Sequence, residues 1–186
     1  MHQVTAPTSR LPEKLNLGQE SNSTLRYLYL NLKTHNEQVE NGEALDTVEA
    51  DRYVCGMPLP PFQRPQKWTL EQQVSFVESV VYGIPLGTYS FVNIAWSDGK
   101  VNPMAGWVLD GQQRLTALES FFNDEFAVFG LKFSDLNQIE RNKILHTKFS
   151  AHVISVETEQ EARMIYDLMA FGGVQHEEHE RALPKK

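Results

Sequence analysis

At 186 residues, 41% of them hydrophobic and 22% charged, the chain has the length and apolar content of one soluble domain with its own core, which excludes wholesale disorder and fibrous repeats. A formal net charge of −7 argues against sequence-independent binding to duplex DNA, which needs a basic face to release phosphate counterions. The longest apolar runs, such as Val80-Val81-Tyr82, fall far short of the roughly 20 residues that span a bilayer, and nothing at the N-terminus reads as a signal peptide, so the expected location is the cytoplasm, with no membrane partner. The single cysteine, Cys55, rules out an intramolecular disulfide and a multi-cysteine zinc site. With no histidine near it in sequence, it reads as structural.

In chain order, residues 1–22 are polar, carry Pro7 and Pro12, and read as a flexible arm. Residues 23–34 set Leu25, Leu28, Tyr29 and Leu32 on one face of a helix, and the acidic stretch from Glu37 to Asp51 reads as a solvated connection. The helix and connection, 23–51, precede the main domain at 52–180 and a short tail at 181–186. Each proline in Met57-Pro58-Leu59-Pro60-Pro61-Phe62-Gln63-Arg64-Pro65 fixes its own φ and biases its predecessor toward extended backbone, so this stretch is expected to run as strand or polyproline. Thr69 and Gln72 form a capping box for a helix over 69–82, with Leu70, Val74, Val77 and Val81 as its buried stripe and Gly83 as its stop.

Residues 88–96 read as a strand, Asp98-Gly99 as a turn and 104–109 as the partner strand. A helix over 111–122 buries Leu115, Leu118 and Phe122. Another is expected over 135–145 behind Ser134, followed by a strand over 151–156. A last helix starts behind Thr158, with Glu161 completing a capping box, and stops at Phe171-Gly172-Gly173. Tyr89, Phe91, Phe121, Phe122 and Phe126 are core candidates. The fold class is α+β: a small mixed sheet with flanking helices and an N-terminal helix.

The sharpest chemical signal is the segment from Trp107 to Leu118, where an apolar strand breaks at Asp110-Gly111 into a helix whose first turn carries Gln112, Gln113 and Arg114. Free backbone N–H groups and the positive end of the helix dipole favour an anion at such a junction, and Arg114 there needs a negative partner. That partner is a ligand phosphate or carboxylate, or Asp110 itself. Asp110 as N-cap with Gln113 three residues later also satisfies the capping-box pattern. Arg52, Arg64, Lys67 and Arg114 form a local basic set able to hold a compact polyphosphate despite the acidic balance of the whole chain.

Pro60-Pro61-Phe62-Gln63-Arg64-Pro65, with Trp68 three residues on, is followed by the capped helix, Gly83-Ile84-Pro85, a hairpin and Leu109-Asp110-Gly111-Gln112-Gln113-Arg114-Leu115-Thr116. In this order the motifs closely resemble the N-terminal domain of the GmrS-type, DGQQR-containing proteins of modification-dependent restriction and phage-defence systems, a branch of the ParB/sulfiredoxin-like superfamily. The run from Tyr166 to His176 resembles that family's later Asn-Gly-Gly-type segment, with Phe171 where the family often carries Asn or Thr. The resemblance covers 52–180. It implies a ParB/sulfiredoxin-like fold whose strand-to-helix junction binds a nucleoside triphosphate with magnesium and weakly hydrolyses it.

Carried over by position, Asp110, Gln112, Gln113 and Arg114 are the implied catalytic set. Gln63, Arg64, Lys67, Gly111, Arg114 and Thr116 are the implied nucleotide-binding set, with Asp110 as the magnesium position. The residue types suit the task. Arginines clamp phosphate oxygens, a glutamine orients attacking water, and Asp110 holds magnesium through water or caps its helix. Gln112 stands where sulfiredoxins carry cysteine, which excludes peroxiredoxin repair. ParB-type CTPases carry Gly-Glu-Arg-Arg at Gly111 to Arg114, so the base stays open.

Many GmrS-type proteins act with a His-Asn-His nuclease domain, which 186 residues are too few to include. A nuclease or other protein partner is therefore expected, with DNA reached through it. Two alternatives remain: a ParB-like DNA endonuclease or DNA-binding protein, and a non-catalytic phage or mobile-element protein that binds a host complex. Trp68 reads as a core anchor over a base-stacking platform, and Lys67 as a phosphate contact or a solvated side chain. His176 and His179, spaced i, i+3 among glutamates, read as a solvated face over a metal pair, and His146 and His152 as surface or partly buried positions.

Overall fold

The computed structural model describes residues 17–45, 47–97 and 99–171. Four strands form a mixed sheet in the order β1 (Gln19–Ser21), β8 (Ser150–Ile154), β4 (Thr88–Val92), β7 (Val108–Asp110). β4 and β8 run parallel, and the two outer pairings are antiparallel. Side chains alternate across this sheet. Tyr89, Val108 and Ala151 face the larger core, and Val92, Leu109 and Ile154 face the smaller one. The larger core is closed by α1 (Leu25–Asn41), α2 (Leu70–Tyr82) and α3 (Gln112–Phe122), and the smaller by Ala162 and Ile165 of α5 (Glu159–Phe171). Among the described residues no helix is long and apolar enough to cross a membrane.

Two elements depart from the sequence reading at the N-terminal side. Gln19–Ser21, assigned to the arm, is an edge strand on β8, although all three residues are exposed. Helix α1 runs on through Glu37 and Glu40, which the sequence reading gave to the connection. Only Leu25, Leu28 and Leu32 are buried, so the later turns carry no apolar period to read. They end where Gly42 takes a left-handed conformation and bonds back to the last carbonyls. The proline-rich stretch is a strand only at its start. β2 (Tyr53–Val54) and β3 (Met57–Pro58) make a hairpin through Cys55 and Gly56, both at positive φ, and the chain then turns at Pro60, whose carbonyl accepts from the Gln63 N–H at 2.9 Å.

Helix α2 has the expected box: Thr69 Oγ1 accepts from the Gln72 N–H and Gln72 Oε1 from the Thr69 N–H, with Gly83 left-handed at the far end. Its buried stripe is shifted. Val77 and Val80 are buried and Val74 and Val81 half-buried, whereas Leu70, in the first turn beyond the edge of the core, is 59% exposed. The strand expected to reach residue 96 ends at Val92. The chain leaves the sheet there, makes a separate hairpin of β5 (Trp96–Ser97) and β6 (Lys100–Val101), and returns as β7. Asn102 staples that excursion, donating from Nδ2 to the Val156 carbonyl and accepting from the Met104 N–H.

The helix expected over 135–145 divides into a 3₁₀ turn at Phe133–Asp135 and α4 (Gln138–Leu145). Leu136 is extended, and Asn137 caps α4 with Glu140 completing the box, so the stronger cap lies three residues after Ser134. β8 begins one residue earlier than expected and ends two residues earlier. At α5, Thr158 Oγ1 accepts from the Glu161 N–H, but Glu161 Oε2 accepts from the N–H of Glu157 rather than of Thr158. The glycines after Phe171 lie outside the described residues. The aromatic core is as read from the sequence: Tyr89, Phe121, Phe122 and Phe126 are buried and Phe91 packs half-buried against them.

Candidate functional site

The site grows from the end of β7. Asp110 is the last strand residue, and Gly111 turns the chain at φ +92° into α3. Only glycine fits: a Cβ there would lie 2.6 Å from Tyr89 Cβ, and Tyr89 is fully buried in the sheet. Gly111 is also the N-cap, and no side chain caps α3 among the described residues, so the capping box read into Asp110 and Gln113 does not form. Asp110 still belongs to the strand and reaches forward instead. Its Oδ2 lies 3.0 Å from Arg114 Nη2.

Arg114 is held on several sides. Besides Asp110, its Nη1 donates to the Leu86 carbonyl at 3.0 Å, and its Cζ lies 5.7 Å from the centre of the Phe149 ring. A Cβ on Gly87 would approach Nη1 to 2.9 Å. The negative partner that Arg114 requires is therefore supplied by Asp110 within the chain.

The two glutamines of the first turn differ. Gln113 faces the segment before α2: its Oε1 accepts from the N–H groups of Lys67 at 2.8 Å and Trp68 at 3.0 Å, and its Nε2 lies 3.5 Å from the Pro65 carbonyl. Gln112 is 7% exposed, and its Oε1 is buried with no hydrogen-bond partner among the described residues. Gln63 is buried as well and donates from Nε2 to the Val108 carbonyl at 3.0 Å, while its own carbonyl accepts from Arg52.

These groups surround an open cavity of about 170 Å³. Its floor is the turn from Leu109 to Arg114. One wall is Gln63, Arg64 and Trp68, and the other is Tyr166, Met169 and Ala170 of α5. Typical small-molecule pockets run from about 300 to 1,000 Å³, so this cavity is small beside them. Trp68 is half-buried, tilted against Phe76 at 5.5 Å, and serves as both packing and cavity wall.

Of the residues singled out from the sequence, Gln63, Arg64, Asp110, Gly111, Gln112, Gln113 and Arg114 meet at this cavity. Lys67 and Thr116 do not line it: Lys67 is exposed and contributes its backbone N–H to Gln113, and Thr116 is half-buried one turn along α3. The α5 wall lies in the run from Tyr166 that resembles the family's later segment but was given no part in the site, although the spacing of Ala162, Ile165, Tyr166 and Met169 marks the face of α5 that turns inward. Tyr166 also stacks edge-on against Phe62 at 5.4 Å.

Elsewhere, Cys55 is buried, its Sγ 3.5 Å from the Leu115 carbonyl. Burial, and then the charge of Glu119, push its thiol well above the usual range, which fits a structural residue. His146 is exposed, with Nδ1 2.8 Å from the Asn142 carbonyl, and His152 is half-buried on β8. His176 and His179 lie outside the described residues. Among those described, no three His, Cys, Asp or Glu side chains gather as a metal site.

No curated protein and no solved structure matches the chain. The family model of the GmrSD restriction endonuclease N-terminal domain matches it over residues 45–181, which takes in the hairpin at Cys55, the arginine-bearing segment, the strand-to-helix turn and α5. This is most of the chain, and the chain belongs to that family.

Proposed function

We infer that the domain is a ParB/sulfiredoxin-like module that binds the phosphates of a nucleoside triphosphate at the N-terminus of α3 and weakly hydrolyses it, in support of a nuclease partner. The observation that carries the reading is Gln112. A buried carbonyl oxygen with no partner costs about 1–3 kcal/mol, and this one belongs to a side chain that lines a cavity at an uncapped helix N-terminus beside Arg64 and Arg114. Gln112 Oε1 is closed off as the side chain stands, so the carboxamide would have to turn toward the cavity; a water it then held would satisfy that oxygen and stand next to a bound phosphate, which is the role of a water-orienting glutamine in phosphoryl transfer.

Magnesium fits the donor set in a limited way. Asp110 uses Oδ2 for Arg114, and its side chain is about half exposed. One carboxylate together with phosphate oxygens and water is how magnesium is usually held. The ion would neutralise phosphate charge, and Asp110 is the residue that would hold it. Arg64, on the facing wall, would supply a second arginine to the phosphates beside Arg114.

Thermal-shift titration with ATP, GTP, CTP and UTP, each with magnesium, tests the reading. Binding to the native state alone raises stability by mass action, about 2.7 kcal/mol at a hundredfold excess over Kd. At least one triphosphate should raise the melting temperature in a concentration-dependent way, and Arg64→Ala should move the rise to higher concentrations. No rise with any of the four refutes the reading.

A further inference from the structure

We propose that Gln113 is a positioning residue: it locks the segment 63–68 to the first turn of α3 and so fixes Arg64 at the cavity. The proposal rests on the nucleotide reading above and deepens it. Two buried glutamines pin this segment. Gln63 ties its start to β7 through the Val108 carbonyl, and Gln113 ties its end through the N–H groups of Lys67 and Trp68. Between the two pins lies Arg64, on the cavity wall.

The segment has no regular secondary structure of its own to hold its shape. Pro65 has no N–H to donate, residues 63–69 form no helix or strand, and α2 begins only at Leu70. With Gln113 Oε1 accepting both N–H groups and its Nε2 turned to Pro65, its carboxamide is committed to backbone. Its oxygen has no lone pair left to accept a proton from a water, whereas the oxygen of Gln112 has no partner among the described residues. The two neighbouring glutamines thus divide the work, one facing the ligand and the other holding the wall that carries the cation.

The test is a double-mutant cycle. Gln113→Met keeps the volume but removes the acceptor. Affinity for the best-bound of the four magnesium triphosphates is measured for the wild type, Gln113→Met, Arg64→Ala and the double variant. Gln113→Met alone should weaken binding about tenfold or more, the scale of one charge-assisted hydrogen bond. In the Arg64→Ala background the same change should cost no more than about twofold, because coupled residues are non-additive. Amide exchange should quicken at Lys67 and Trp68 while the Leu115 N–H, bonded to Gly111 within α3, stays protected.

Equal losses in both backgrounds, or released amides with unchanged affinity, overturn the proposal. If Gln113→Met does not fold, Gln113→Asn, whose acceptor is drawn back by one methylene, must give the same pattern. A wild-type protein that takes none of the four triphosphates removes the nucleotide reading and the positioning role with it, and is told apart because the failure precedes any substitution.

Discussion

Gly111→Ala strikes the turn on which the whole site is built. At φ +92° an L residue pays about 1–2 kcal/mol for left-handed backbone. The added Cβ would also lie 2.6 Å from Tyr89 Cβ and 3.2 Å from Tyr89 Cα. Tyr89 cannot withdraw, since it is fully buried with its ring 5.0 Å from that of Phe149, and overpacking of this kind costs about 1–3 kcal/mol more. The sum, about 2–5 kcal/mol, converts to a melting-temperature loss of roughly 4–20 °C for a chain of this size. Gly83→Ala is the internal control. It has φ +74° and nothing within 4 Å of its Cβ, so it carries only the backbone cost, about 1–2 kcal/mol. Chemical and thermal denaturation of both variants reads the difference. If Gly111→Ala costs no more than Gly83→Ala, the close approach of Gly111 to Tyr89 does not constrain the turn.

Leu118→Ala, at a fully buried position of α3, should cost about 2–5 kcal/mol, whereas Leu70→Ala should fall within about 0.5 kcal/mol; comparable losses in urea melts would restore Leu70 to the core. Thr69→Ala removes the cap of α2 and should cost about 1 kcal/mol by the same assay, and no loss would mean the box is not formed in solution. Glu119 bears on pH dependence: burial, with a smaller push from Glu125, raises its carboxyl above the usual value despite the Cys55 N–H donated to it. The folded state therefore holds this proton more tightly than the unfolded one. Its contribution is fully present below the ordinary glutamate pKa and is lost as pH rises through the raised folded value. Glu119→Gln keeps an acceptor for Cys55 and should flatten that part of the stability profile; an unchanged slope counts against the burial argument.

Local chemistry was legible wherever one residue type leaves few options. Thr69 with Gln72 could be read directly as a cap, Gly83 as the stop of the same helix, and the strand-to-helix break at Asp110-Gly111 as the centre of the site. The buried aromatics were legible too, because nothing else shelters so much apolar area. Less was legible where packing rather than propensity decides. The exposed final turns of α1 carry no apolar period, and the stripe of α2 could be rotated by one residue without changing its sequence pattern.

The sequence alone determined the fold class, the motif order that marks the family and the turn that carries the site. Tertiary structure alone decided the partners within the chain: Asp110 beside Arg114, the Lys67 and Trp68 backbone rather than a cap beside Gln113, an oxygen on Gln112 with no partner among the described residues, and α5 as the second wall. Caps, glycines and strand-to-helix breaks act within a few residues and so leave a local trace. The partner of a buried polar group is whichever donor the folded chain brings within about 3 Å, and that donor lies here some 45 residues away.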